Sequence, residues 1–368
     1  LGEMASGLYG QNTSMAGVTV GMREGMLMNI ENPAGLTALD SCKLFAEASA
    51  FVKNERYRSD GSSSSAFTGN FSAFSLGGRI MRRWYMSVGV TPYSFVGYYF
   101  KSSQELEGSP GTFVTSTFSG TGGLSKAFLS QGFSLTKHLS VGMNLNFIFG
   151  NMTQNEIQSA MTVSREMSGR SFYADFGLQY HRPIARETFL TVGAIYGYKQ
   201  RISLKNTVTV TGSSTETPYN QKRVTQYLPQ YIGIGSSLAH KKWTYALDYL
   251  FRQYGVLNSS DSRVKFRDSH ELRLGVCYFP NGFSSSSYWK RMSYKAGVSV
   301  STPYLRLKGQ SGGAYRVSVG LGLPVLNGRI NTAFYYDRLQ LQGNALRRDI
   351  MGFTVTYTLS EKFYQVKL

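Results

Sequence analysis

No run of 18 or more apolar residues occurs in this 368-residue chain, which excludes a membrane-spanning helix. The sustained periodicity of a helical bundle or an α/β enzyme is missing too. Cysteine is scarce. Cys42 and Cys277 are too few for a disulfide scaffold, and the strand reading below gives them opposite faces, so they are expected to be unpaired. The four histidines and the carboxylates show no metal-ligand spacing, so neither a metal nor another cofactor is expected. Acidic residues number 21 against 39 basic ones, a formal net charge of +18. The basic residues are scattered rather than striped, so no nucleic-acid role is expected. Near a membrane surface they are expected to meet outer-membrane lipid headgroups or lipopolysaccharide phosphates. No charged stretch followed by an apolar one opens the sequence, so no targeting peptide is expected within it. What is abundant is aromatic residues, at 14%, and glycine, at 40 residues. That aromatic share is apolar surface to bury, which excludes general disorder.

The strongest pattern is a period of two. Leu139, Val141, Met143, Leu145, Phe147 and Phe149 alternate with Ser140, Gly142, Asn144 and Asn146, Ile148 alone breaking the rule. Phe172–Leu178, Trp243–Tyr249, Leu272–Val276 and Met351–Leu359 repeat it. One face of each strand therefore meets an oily medium and the other something small and polar. A soluble sandwich would favour charge on its polar face, whereas here Gly, Ser, Thr and Asn dominate. Aromatics gather near strand ends, as at Trp84–Tyr85 and Tyr249–Phe251. Apolar bands flanked by aromatic girdles around a polar interior mark an outer-membrane barrel. Closure satisfies every backbone group where the solvent offers no partner.

Connections alternate in length. Short links fall near Arg82–Arg83, Thr136–His138, Arg182–Glu187, His240–Lys242 and Pro324–Gly328, with a longer one from Pro280 to Trp289. Longer polar links fall near 54–66, 99–123, 152–168, 205–222, 255–264, 307–313 and 339–347. This divides the chain into 14 strands. A wall hairpin at Thr112–Phe118 would raise the count to 16. The expected fold is all-β: a transmembrane antiparallel barrel over residues 42–360, with residues 361–368 as a short periplasmic tail. A Gram-negative outer membrane is the expected location, with short turns periplasmic and long loops outside.

Residues 1–41 do not alternate. Few charges and anchors such as Leu8, Tyr9, Met15, Val18, Met26 and Met28 favour a plug inside the lumen over a free tail. The run GLYGQNTSMAGVTVGMREGMLMNIENPAGL, directly before a strand, resembles the N-terminal hatch of FadL-type long-chain fatty-acid transporters. Asn32–Pro33–Ala34 matches that family's NPA element, and Gly35 follows it. LPQYIGIG (228–235), WTYALDY (243–249), HELRLGVCYFPNG (270–282) and YRVSVGLGLP (315–324) resemble the family's Bacteroidetes branch. The resemblance implies a hatch-plugged barrel of 14 strands. It also implies passive uptake of hydrophobic molecules such as fatty acids, and release sideways through a gap in the wall. No ligand-contacting residue can be carried over position by position.

Parity points Phe45, Glu47, Phe51, Asp248, Arg252, Glu271 and Arg273 into the lumen. Lys43, Asp175, Lys199, Lys295, Arg316 and Arg329 share that parity. Ionisable groups inside a membrane segment are functional candidates. Two readings stand: ion pairs fixing wall to hatch, with Arg23, Glu24 and Glu31 as partners, or contacts that hold a ligand carboxylate or gate the plug. Phe45 and Phe51 either line a ligand pocket or pack on the hatch. Pro33 and Gly35 suit a tight turn and equally a hinge. No Ser–His pair is positioned for catalysis, since Ser269 and His270 point to opposite faces, so no enzyme is expected. The leading functional expectation is uptake of hydrophobic compounds. The rival is a non-transporting barrel that partners other outer-membrane proteins or lipoproteins in a larger assembly.

Overall fold

The computed structural model describes every residue except 1, 6–9, 60–61, 106–110, 112, 159–160, 213–215, 258–263, 281–286, 308, 343–345 and 363–368. Antiparallel strands follow one another round a single closed sheet. They are β2 (Lys43–Ser59), β3 (Ser62–Met81), β4 (Trp84–Glu105), β5 (Phe113–Ser134), β6 (Leu139–Gln158) and β7 (Met161–Ala185). β8 (Thr188–Gly197) and β9 (Gln200–Thr211) form one wall strand broken at Tyr198–Lys199. β10 (Glu216–Leu228) and β11 (Tyr231–His240) form the next, broken at Pro229–Gln230. The wall continues through β12 (Trp243–Arg252), β14 (Ser269–Tyr278), β15 (Ser293–Ser301), β17 (Gly312–Val325), β18 (Gly328–Leu341) and β19 (Arg347–Lys362). β19 pairs with β2 from Lys362↔Lys43 to Arg347↔Arg58, so the sheet has no free end. The wall has 14 strands.

The alternation sets this closure. Val298, Val300, Val317 and Val319 face outward and are exposed, while Ser299 and Ser318 beside them are buried in the lumen. Several expected links prove to be strand. β4 and β5 pair from Glu105↔Phe113, and β6 and β7 from Gln158↔Met161, so the segments near 99–123 and 152–168 are mostly ladder. The Thr112–Phe118 hairpin is not formed: from Phe113 onward the chain is already β5, and residue 112 lies outside the described residues. Polarity misled there because a strand that rises past the apolar band has water on its outside, and its polar side chains then look like loop. A small ribbon, β13 (Val264–Phe266) with β16 (Leu305–Leu307), joins two of the remaining links. Of the expected C-terminal tail, residues 361–362 continue β19 and 363–368 lie outside the described residues.

The N-terminal segment from Gly10 to Leu39 is almost wholly buried. Its 3-10 turn at Thr13–Met15 touches β14, β15, β17 and β18, and the one at Pro33–Ala38 touches β4 to β7. A segment in contact with opposite walls of a closed barrel sits inside it. Inward-facing glycines let its backbone reach the wall. A Cβ on Gly142 would stand 2.4 Å from Ala34 N, one on Gly193 2.1 Å from the Val20 carbonyl, and one on Gly297 2.2 Å from the Met15 carbonyl carbon. Methionines fill the remaining space: Met15 and Met22 pack with Val18, Leu27 and Ala246, and Met26 and Met28 with Leu36, Leu39 and Phe45.

Candidate functional site

Among the described residues the wall opens between β3 and β4. The β3–β4 ladder runs from Met81↔Trp84 to Phe74↔Val90 and stops. Beyond it β3 stays paired to β2 as far as Ser62, and β4 stays paired to β5 as far as Glu105. Two bulges start the divergence. Ser72 has no rung on β2, where Ser49↔Ala73 is followed by Ala50↔Phe71. Tyr93 has none on β5, where Pro92↔Ser125 is followed by Ser94↔Leu124. A bulge bends its strand, and Pro92 has no N–H for a ladder. The last tie is Thr91 Oγ1 donating to the Ser72 carbonyl at 2.9 Å. Past it, the outer face of β3 still shows Phe71 and the 75%-exposed Phe67, so the opening begins within the apolar band.

On the lumen side a short strand, β1 (Glu3–Met4), lies along β4 where β3 has left it. Glu3 stands opposite Phe95 and Met4 opposite Ser94, and Ala5 N–H donates to the Tyr93 carbonyl at 3.0 Å. Glu3 accepts from Arg348 at 2.6 Å and lies 3.8 Å from Lys53, which also pairs with Glu55 at 3.1 Å. Burial pushes the Glu3 carboxyl up, but Arg348, and after it Lys53, outweigh burial and hold it below the usual carboxylate range.

Small cavities flank this strand. One of about 120 Å³ lies between Met4–Ala5, Thr91–Tyr93, Ile30–Glu31 and the side chains of Tyr173, Tyr198 and Leu228. Behind Tyr173 and Leu228 packs an apolar cluster of Leu124, Ile148, Met152, Ile202 and Leu204. The other, of about 160 Å³, is lined by Lys53, Arg316, Tyr335 and Arg348 among others. Met4, Arg252 and Tyr254 border both.

The expected lumen residues fall into two groups. Phe45 and Asp248 meet the N-terminal segment: Phe45 packs on Met26, Met28, Leu36 and Leu39, and Asp248 accepts from Thr19 N–H at 2.7 Å and Val20 N–H at 2.8 Å. Arg273, fully buried, donates to the Gly17 carbonyl at 2.6 Å, to Glu31 at 3.1 Å and to Glu271 at 2.8 Å. Arg252 completes the group, 2.7 Å from Glu271, and borders both cavities. Phe51 lies instead at the opening, edge-on to Phe95 with centroids 5.6 Å apart. Glu47 is buried lower down and accepts from Thr358 at 3.1 Å. Of the other lumen charges, Asp175 takes both Asn144 and Asn146, Lys295 reaches the Gln11 carbonyl, and Arg316 pairs with Asp337. Asn32 is fully buried; it accepts from Ala34 N–H at 3.2 Å and donates to the Val20 carbonyl at 2.7 Å. A side chain on Gly35 would crowd Asn29, with Cβ 3.0 Å from its Nδ2. Sequence reasoning missed Glu3, Lys53, Ser72, Thr91, Tyr93 and Arg348. Pro92 inside a strand was the one visible signal.

A family model described as BamG matches residues 1–367, nearly the whole chain. The chain belongs to the BamG family. No curated protein matches it. Among solved structures, this BamG-family chain is similar to the Ralstonia pickettii toluene transporter TbuX, at 14% identity and TM-score 0.64 over 98% of this chain and 100% of that one. A Pseudomonas aeruginosa FadL homologue is similar at 12% identity and TM-score 0.64, over 99% and 100%. The Pseudomonas putida toluene transporter TodX is similar at 16% identity and TM-score 0.64, over 98% and 100%. At such identities the likeness is one of fold: the BamG-family chain is a FadL-like barrel.

Proposed function

We propose that this BamG-family barrel lies in the outer membrane and admits small apolar compounds, which pass from the lumen cavity sideways into the bilayer between β3 and β4. The observation that carries this reading is the opening itself, placed within the apolar band, with the two-residue strand β1 along its inner side. A water-filled pore would deliver cargo to the far side of the membrane; a gap beside the acyl chains suits a solute that prefers them. The cavity near 120 Å³ offers one small solute the side chains of Tyr173, Ile195, Tyr198 and Leu228, with Glu31, Lys126, Asp175 and Arg252 beside them. A fatty acid needs more room. Met4 borders both cavities beside Arg252 and Tyr254, so withdrawal of β1 would enlarge the space available there. In this reading residues 1–41 act as the hatch.

A second reading, a subunit of a larger outer-membrane assembly that transports nothing, is favoured by the filled lumen and by the unpaired edge of β3 beyond Ala73. Such an edge invites an added strand from a partner. One preparation tests both. The barrel is extracted in mild detergent and analysed for bound apolar compounds and for co-purifying membrane proteins, then reconstituted for uptake of a monoaromatic solute. Uptake above that of protein-free liposomes supports the first reading. Stoichiometric partners with no uptake select the second.

A further inference from the structure

The short-turn end of the barrel is rich in basic residues, with Asp40, Glu187 and Glu361 acidic among them. Five of its six connections present an exposed cation: Arg82, Lys137, Arg186, Lys241 and Lys290. None of these five lies within 4.0 Å of a carboxylate among the described residues.

The same turns expose apolar side chains. Met81, Leu135, Ile184 and Leu326 stand outside the wall at their tips, Leu326 with its whole surface free. All three tryptophans of the chain are at this level too. Trp84 stacks on Phe133, Trp243 packs against Tyr278 with centroids 4.5 Å apart, and Trp289 is largely exposed between β14 and β15. Cation and apolar tip side by side, above a ring of indoles, fit a headgroup layer: the tips and indoles enter the acyl boundary while the cations reach phosphates.

We infer that the short-turn rim is a collar that binds anionic phospholipid and gathers it round the barrel. The distribution decides the kind of partner. The cations sit on turns spread over the circumference, from β3–β4 through β7–β8 to β14–β15. A protein docked on one side would meet a fraction of them, whereas a lipid leaflet meets all. The collar stands independently of any cargo, since it uses no residue of the wall opening.

The tryptophans are built-in reporters. The folded full-length protein is placed in liposomes of equal phosphatidylcholine and phosphatidylglycerol, with brominated acyl chains on one lipid at a time, and indole quenching is compared. Brominated phosphatidylglycerol is expected to quench about threefold more than brominated phosphatidylcholine at low salt, the ratio falling toward unity in high salt. A combined Arg82→Gln, Lys137→Gln, Arg186→Gln, Lys241→Gln, Lys290→Gln variant, its folding checked by heat-modifiable mobility, is expected to lose most of the preference. A ratio of unity in the wild-type protein at low salt overturns the inference. So does an undiminished ratio in the folded variant. Single-tryptophan variants that show the preference on one side only would point to a local site instead of a collar.

Discussion

Thr91 holds Ser72 just past the last rung of the β3–β4 ladder, its hydroxyl 2.9 Å from the Ser72 carbonyl. Beyond this bond the wall parts, and Met4 stands opposite Ser94 in the place a third strand would take. Ala5 N–H bonds the Tyr93 carbonyl, so Met4 and Ser94 form the adjacent non-hydrogen-bonded pair, whose side chains lie closest. Met4→Cys with Ser94→Cys, in a background with Cys42→Ser and Cys277→Ser, should therefore oxidise to a disulfide with little distortion. If β1 must leave for cargo to pass, the oxidised barrel folds normally but takes up no apolar solute, and reduction restores uptake. Equal uptake in both redox states would remove β1 from the pathway.

Asp248 carries a different burden. It is buried and its Oδ2 accepts from two successive N–H groups, Thr19 and Val20. Asp248→Ala leaves both donors without their anion inside the lumen, a loss of about 3 kcal/mol for hydrogen bonds to a charged group. The cost falls on the seating of the N-terminal segment, because the wall ladder on either side of Asp248 is backbone-made. Limited proteolysis should cut within residues 10–41 of the variant at least tenfold faster, while heat-modifiable mobility of the barrel stays unchanged.

Gly297 tests the close approach of that segment to the wall. A Cβ there meets the Met15 carbonyl carbon at 2.2 Å, backbone that cannot swing aside. Gly297→Val is expected to cost about 1–3 kcal/mol through overpacking and to displace the Thr13–Met15 turn. Gly97→Val is the control, since nothing lies within 4 Å of its added Cβ. Hydrogen exchange at Met15 and Val18 should rise in the first variant and stay as in wild type in the second.

The wall was legible in the sequence because its cause is local. Val298 and Ser299 differ in polarity as they differ in solvent, and each strand repeats that choice. The projecting parts of β6 and β7 were not legible, since Asn151–Gln158 is polar apart from Met152 and Ile157 and so lacks the alternation of a strand with lipid on one side. Parity also put Phe45, Asp248 and Arg273 on the lumen face. It could not say what each meets there, because Arg273 and Gly17 are separated by 256 positions and only the path of the N-terminal segment joins them. The opening depends on Ser72 and Tyr93 bulging at facing places, a relation between two strands that neither strand's pattern contains.

Glu3 makes the seating of β1 depend on acid. Its carboxyl is pushed up by burial yet held below its ordinary range by Arg348 and then Lys53, so the charged form is favoured more in the seated strand than in a free one. A depressed carboxyl contributes stability that is complete above its free value, about 4.3 for glutamate, and that drains away as pH falls through the lower, seated value. Between neutrality and about pH 5 the strand should therefore stay in place, and in stronger acid it should release. A trifluoromethyl label on Met4→Cys, in the background free of other cysteines, should show one fluorine resonance at neutral pH and a growing, narrower one as the solution is acidified. Glu3→Gln should show the narrow resonance already at neutral pH, with no further acid transition, because the ion pairs with Arg348 and Lys53 are gone and the rungs to Ser94 and Phe95 do not hold β1 by themselves. A label that stays broad throughout, in both proteins, would mean that the ladder alone seats β1 and that the charges around Glu3 have no part in it.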